Sequence, residues 1–244
     1  MKKILFILGC FCYFQLPIIA LDVVDLLKKV DEKYNVSTQL IESRMIVYSR
    51  RGKREMKLKT YTFGTSKSFS EYLAPPRDKG IKMLRIENDL WTYTPMADRV
   101  IKISGHMLRQ SVMGSDFSYE DMLERDLLGD NYNAILIGSE TLFERACYII
   151  ELNEKEPGLA YPKRKVWIDK ERYIALKEER FAKSGILLKK TEVIEVMKID
   201  DTWYPKKMVF KDMLKKGQGT HYYIDSLTLN LKLPDNLFTK SSLR

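Results

Sequence analysis

This sequence is poor in the residues that most often carry chemistry. It has only two histidines, His106 and His221, and three cysteines among 244 residues. The histidines are far apart and show no H-E-x-x-H or Cys/His ligand spacing, so no metal site is expected. There is no G-x-S-x-G elbow, no phosphate-binding Walker loop and no G-x-G-x-x-G run, which removes the common hydrolase, nucleotide and dinucleotide signatures. Cys10 and Cys12 lie in the N-terminal segment, leaving Cys147 alone in Ala146-Cys147-Tyr148-Ile149-Ile150, the setting of a small core residue rather than a disulfide partner. Beyond the N-terminus no stretch approaches the ~18 consecutive apolar residues that a membrane span needs.

The N-terminus itself looks like a targeting segment. Lys2-Lys3 supply a basic start, residues 4–14 an apolar run, and Ala20 a small residue before a cleavage point. Residues 1–20 are therefore expected to leave as a signal peptide, with a single exported, soluble domain over 21–244. A rival reading takes Ile7-Leu8-Gly9-Cys10 as a lipobox with a lipid anchor on Cys10.

What is present is a 45% hydrophobic, 31% charged composition with a net charge of +9. The basic residues are interleaved with acids, as in Lys177-Glu178-Glu179-Arg180, which is the pattern of a solvated mixed-charge surface. Residues 21–34 alternate at helical spacing. From Val36 onward the apolar period is two, giving strands over 36–50, 54–63, 68–73, a hairpin over 80–96, then 98–104, 141–151, 165–169, 173–182, 186–199, 203–213 and 221–231. A two-residue loop at Asn88-Asp89 would pair Ile86 with Trp91 and Leu84 with Tyr93, which puts those four on one face. Residues 105–116 resemble a mobile apolar loop. Ser118-x-x-Asp121 has the form of a helix start. The acids Asp116, Glu120 and Asp121 suit caps better than catalysis, and a hydrolase pairing Asp116 with His106 lacks any group to activate it. The expected fold is a single incomplete, strongly curved antiparallel β-barrel of about 10–11 strands, with helices covering its concave face.

The methionines Met83, Met96, Met107, Met113, Met122, Met197, Met208 and Met213 form an apolar surplus of adaptable side chains. A curved sheet so lined suits a pocket for apolar ligands. In this reading Leu84, Ile86, Trp91 and Tyr93 form a cavity wall, and Met107, Met113, Phe117, Tyr119 and Met122 the lid side.

Several blocks carry a family resemblance. They are Pro76-x-Asp78-Lys79-Gly80, Leu90-Trp91-x-Tyr93-x-Pro95, Arg99-Val100-x-Lys102-Ile103-Ser104-Gly105, Met113-Gly114-Ser115-Asp116-Phe117-Ser118-Tyr119-Glu120-Asp121, and Leu233-Pro234-Asp235-x-Leu237-Phe238. On these the chain resembles the bacterial outer-membrane lipoprotein-sorting protein family, relatives of the LolA and LolB carriers. The resemblance implies an open barrel with an acyl-chain cavity and periplasmic carriage of lipoproteins or other lipids. It implies no catalysis and no cofactor. The expected partners are acylated lipoproteins or lipids, an inner-membrane transporter and an outer-membrane acceptor, with no nucleic acid, and the carrier is expected to be monomeric. Arg77 and Arg99 are placed to control the lid, with Asp116 as a polar gate residue. The alternative is a non-catalytic envelope binding module that docks a transporter or an anionic surface ligand.

Overall fold

The computed structural model describes residues 22–32, 36–49, 52–123 and 128–244. The proposed signal peptide and Cys10 lie outside the described residues. The chain begins with α1 (Val23–Glu32), whose Leu26, Leu27 and Val30 are buried one turn apart. Asp22 accepts the Val24 N–H at 2.9 Å and caps its first turn.

Thirteen strands follow: β1 (Thr38–Ser49), β2 (Gly52–Phe63), β3 (Lys67–Ala74), β4 (Lys82–Ile86), β5 (Asp89–Thr94), β6 (Arg99–Ile103), β7 (Tyr132–Leu142), β8 (Arg145–Glu154), β9 (Lys163–Asp169), β10 (Ala175–Phe181), β11 (Leu187–Ile199), β12 (Thr202–Asp212) and β13 (Thr220–Leu229). They form one sheet in the order β6-β5-β4-β3-β2-β1-β13-β12-β11-β10-β9-β8-β7. Every pairing is antiparallel, and β1 joins the two halves through β13.

The expected incomplete, strongly curved antiparallel barrel of about 10–11 strands is corrected in strand number and in shape. The sheet has thirteen strands, β6 and β7 are free edges at its two ends, and it is neither closed nor strongly curled. The physical reason is the connectivity. Tight connections lay each strand beside its neighbour in sequence, so the chain finishes one half at β6 and must start the other at β7, the far edge. The described parts of the connection between them, residues 104–123 and 128–131, lie over one face of the sheet instead of bringing the two edges together. The helices lie in that same layer and on α1, over one broad face rather than inside a barrel.

Two local expectations also shift. The hairpin loop is Glu87-Asn88, with Leu84 opposite Trp91 and Lys82 opposite Tyr93. Moving a two-residue loop by one residue shifts each partner by two, so the side chains keep their face. Glu87 takes the left-handed conformation (φ 52°) expected of Asn88-Asp89. The strand expected over 141–151 is instead a hairpin: β7 ends at Leu142, Phe143 and Glu144 turn with φ of 50° and 61°, and β8 begins at Arg145. Neither turn residue is Gly, Asn or Asp, so the sequence carried no turn signal there.

Four apolar clusters fill the layers. On one face Met45, Val47, Met56, Leu58, Tyr72, Met83, Leu90 and Ile103 pack under the crossing segment. Leu26, Leu27 and Val30 of α1 cover Ile150, Leu152, Val166 and Ile168. On the opposite face Phe69, Leu84 and Trp91 are covered by Leu243, with Leu237 and Phe238 beside them. Cys147, fully buried beside Ile149 and Trp167, belongs to the fourth, and burial pushes its thiol up from the ordinary value.

Candidate functional site: the strap across the sheet

Residues 105–123 form a strap of two 3-10 turns, Gly105–Arg109 and Val112–Gly114, and the short helix α2 (Tyr119–Leu123). The expected mobile loop is thus a folded segment. Its tightest point is Val112–Gly114, where Met113 and Gly114 both have left-handed φ, 52° and 73°. Ser115, fully buried, closes this turn by donating to the Val112 carbonyl at 2.6 Å. Val112 N–H bonds the Phe117 carbonyl at 2.9 Å and Tyr119 N–H the Gln110 carbonyl at 3.1 Å, so the segment holds its own shape. Ser118 and Asp121 then act as a reciprocal cap for α2. Asp121 accepts from the Ser118 N–H at 2.7 Å and hydroxyl at 2.8 Å, and Asp121 N–H reaches the Ser118 oxygen at 3.3 Å.

The strap is tied down step by step as it crosses. Over β2, the Arg54 guanidinium donates to the Met113 carbonyl and stands 3.8 Å from the buried Asp78. Over β12 and β13, the Asp116 carboxylate accepts from the Asp212 N–H at 2.9 Å and the Thr220 hydroxyl at 2.8 Å. Lys189 of β11 donates to the Asp116 carbonyl at 2.7 Å, and Lys215 to the Ser115 carbonyl at 2.9 Å. Over β10 and β11, Asp121 meets Arg180 at 3.2 Å, Lys189 at 3.7 Å and the Tyr161 hydroxyl at 2.7 Å. At the far edge, Asp31 of α1 accepts the N–H groups of Leu128 and Gly129, at 3.2 and 3.1 Å. Desolvation of that carboxyl outweighs these two bonds and raises it above its ordinary value.

Beneath α2 lies a buried charge network. Arg180 grips Glu178 through two bonds of 3.0 Å, and Arg164 reaches the same carboxylate at 3.1 Å. Arg164 also donates to the Tyr132 hydroxyl at 2.7 Å, which donates to the Tyr161 carbonyl at 2.9 Å. Burial would raise the Glu178 carboxyl, but Arg180 and Arg164 more than offset it and bring it to about 2. Asp121 behaves alike: desolvation raises it, while Arg180, Lys189, Ser118 and Tyr161 together hold it below its ordinary value. The 177–180 run is therefore not the solvated surface its alternating charges suggested. Glu178 and Arg180 point to the strap with side chains only 16% and 15% exposed.

Under the other part of the strap the interface is apolar. Met107, Leu108, Met113, Phe117, Tyr119 and Met122 pack, partly buried, on the sheet cluster that contains Met45, Met56 and Met83. Six of the chain's eleven methionines thus meet here. Phe117 lies on Phe210 with ring centres 3.9 Å apart. The space between Asp116, Asp121, Lys189 and Phe210 measures about 10 Å³, so strap and sheet are in contact.

The expected site residues divide between two places. Met107, Met113, Phe117, Tyr119 and Met122 come together on the underside of the strap, near Asp116, the residue expected as a gate. Leu84, Ile86, Trp91 and Tyr93 do share a face, but it is the opposite face, under residues 237–243. Wall and lid therefore do not enclose one cavity. Strand alternation is the reason: Met83 and Leu90 point to the strap, so their neighbours Leu84 and Trp91 must point away. Arg77 and Arg99 are exposed. The arginines in contact with the strap are Arg54 and Arg180, which sequence reasoning missed because their partners lie 59 residues away in each case. His221 is half-buried against Tyr48, ring centres 5.0 Å apart, and His106 is exposed. Among the described residues no three of His, Cys, Asp and Glu are grouped to hold a metal ion.

Several solved structures share this architecture. A DUF1329 family protein from Desulfovibrio piger matches with a TM-score of 0.84 at 26% identity, over 91% of this chain and 97% of that one. A domain from Vibrio parahaemolyticus assigned as an outer membrane lipoprotein-sorting protein matches at 0.78 and 22% identity, over 90% and 97%. A LolA superfamily protein from Nitrosomonas europaea matches at 0.73 and 22% identity, over 91% and 100%. The last two likenesses establish the fold. No curated protein matches the chain. Residues 64–244, from the start of β3 through the strap to the C-terminal segment, match a family model described as "Uncharacterized protein", and the chain belongs to that family.

Proposed function

We propose that the protein is a non-catalytic carrier in the bacterial envelope, which holds acyl chains of lipoproteins or other lipids between strap and sheet. The observation that carries this reading is the six-methionine interface under a segment fastened mainly by polar contacts. Methionine side chains repack around ligands of variable shape. A strap fastened by polar contacts can be released by solvation or by a partner's charges without unfolding the sheet. The strap's own side chains fill the interface in the closed form, and incoming acyl chains replace them when it lifts. A buried methylene gains about 0.8 kcal/mol, so a chain of ~16 carbons gains on the order of 10 kcal/mol, which is available to offset release of the strap's several fasteners. The likeness in fold to a LolA superfamily protein supports the same reading. Residues 1–20 would direct export to the periplasm.

Lipids extracted from the purified protein and identified by mass spectrometry give the direct test, together with binding of a fluorescent acyl probe. Met113→Gln and Met122→Gln should each weaken probe binding about tenfold, the effect of roughly 1.4 kcal/mol lost from an apolar contact. Tyr93→Gln, on the opposite face, should leave it unchanged. Absence of both co-purified lipid and probe binding would refute the carrier reading.

A further inference from the structure

The face away from the strap carries a second, independent feature. The strand registers arrange it in rows. Tyr61, Phe69, Leu84 and Trp91 lie side by side across β2–β5 and end at Lys102 of β6. The row on one side reads Lys59, Glu71, Lys82, Tyr93, and that on the other Phe63, Lys67, Ile86, Asp89. Residues 237–243 cover Phe69, Leu84 and Trp91, and around that covered centre the accessible rings of Tyr61, Phe63 and Tyr93 are rimmed by lysines.

Each lysine lies over a ring. Lys59 sits 5.6 Å from the Tyr61 ring centre, Lys67 5.6 Å from Phe63, and Lys82 5.9 Å from Tyr93. Trp91 is flanked by Lys102 at 5.7 Å and by Lys240, brought in by the C-terminal segment, at 4.6 Å. Phe63 is 49% exposed and meets Phe238 edge-on. The two acids in these rows are offset: Asp89 pairs with Lys102 at 2.7 Å, and Glu71 stands between Lys59 and Lys82. The balance on this face is positive.

We infer that this face docks the protein on an anionic phospholipid surface. The chemistry fits at both depths of such a surface. Aromatic rings with polar or cationic edges favour the headgroup layer, and lysine stems lie along apolar matter while their ammonium groups reach phosphates. The rings hold the lysines in place, helped at Lys102 by Asp89 and at Lys82 by the Ser242 and Arg244 carbonyls at 3.1 and 3.2 Å, and phosphates would draw the ammonium groups from these contacts. The inference does not depend on the carrier reading, because the face lies on the other side of the sheet from the strap.

Sedimentation of the purified protein with phosphatidylcholine vesicles, with and without phosphatidylglycerol, tests it. Binding should require phosphatidylglycerol and fall as salt rises. Lys102→Glu combined with Lys240→Glu should weaken it about tenfold or more, since each basic residue near an anionic surface contributes severalfold. Both side chains are exposed, so the thermal transition should stay in place. Lys183→Glu with Lys216→Glu, an equal charge change at other exposed positions, should leave binding within about twofold. No binding, equal binding to neutral vesicles, or an equal loss in the control pair would overturn the inference. Met113→Gln should leave vesicle binding intact, which keeps this result separate from any failure of acyl binding.

Discussion

Asp121 shows how much one side chain of the strap does. It caps α2 through Ser118 and faces Arg180, Lys189 and Tyr161, with its side chain 3% exposed. Its sequence context revealed only the capping role, because a cap is local and the cations come from strands far along the chain. Asp121→Ala would remove one of two carboxylates from each cation, since Arg180 keeps Glu178 and Lys189 keeps Asp212, each at 3.0 Å, and should cost about 1–3 kcal/mol in denaturant unfolding. Hydrogen exchange should then quicken through residues 105–123 more than in the sheet. The acid limb of stability has the same origin. Asp121 and Glu178 titrate lower in the folded protein than their ordinary values of 3.8 and 4.5. Groups of this kind stabilise fully above the ordinary value and lose that contribution as pH falls toward the folded one. Stability should therefore hold above about pH 5 and fall steadily toward about pH 2, the folded value of Glu178. In Glu178→Gln that slope should flatten, and the protein should be weaker at neutral pH because Arg164 and Arg180 lose a shared carboxylate. A midpoint that depends on pH as strongly in the variant as in the parent would remove Glu178 from this account.

At the scale of elements, the legible parts were those with a local pattern. Period-two alternation placed β2, β3, β9 and β12 within a few residues, and helical spacing placed α1. The β4–β5 loop was misplaced by one residue, yet the faces survived because pairing keeps parity. The β7–β8 hairpin was lost because Phe143 and Glu144 turn with no turn chemistry of their own. The strap was read as a mobile loop followed by a helix start, and both its fold and the side of the sheet it covers depend on long-range contacts. That choice separated Leu84 from the strap and put Met83 under it. Phe117 allows the packing to be probed. Phe117→Ala removes a ring packed at a tilt against Phe210, and should cost about 3 kcal/mol at the low end of buried aromatic truncations, since Phe117 is only partly buried. Phe117→Leu should recover most of it, as expected if apolar volume rather than ring chemistry is what matters.

Across the whole molecule, the open sheet leaves two edges that the sequence treats differently. β6 carries Arg99 and Lys102, charges of the kind that discourage another strand from pairing there. β7 has no basic residue over Tyr132–Leu142 and exposes Ile135, Leu136 and Ile137 at 55%, 38% and 47%. A closed barrel would have hidden both edges. The expectation of a strongly curved, incomplete barrel came from counting strands, and strand number alone cannot tell whether the last connection curls the sheet or crosses its face. The bulge between Leu136 and Gly138 divides β7 into two regular runs, 132–136 and 138–142, and the exposed apolar residues lie in the first run and at the bulge. Heating or concentrating the protein should therefore cause association through the first half of β7. Ile135→Lys should suppress it while moving the unfolding midpoint little, because that side chain is already mostly in water. Ile101→Lys on β6 serves as the comparison, since that side chain is 44% exposed on an edge already bearing charge. Light scattering during a thermal ramp would distinguish the two edges. If both variants lowered scattering equally, net charge and not the β7 edge would govern association.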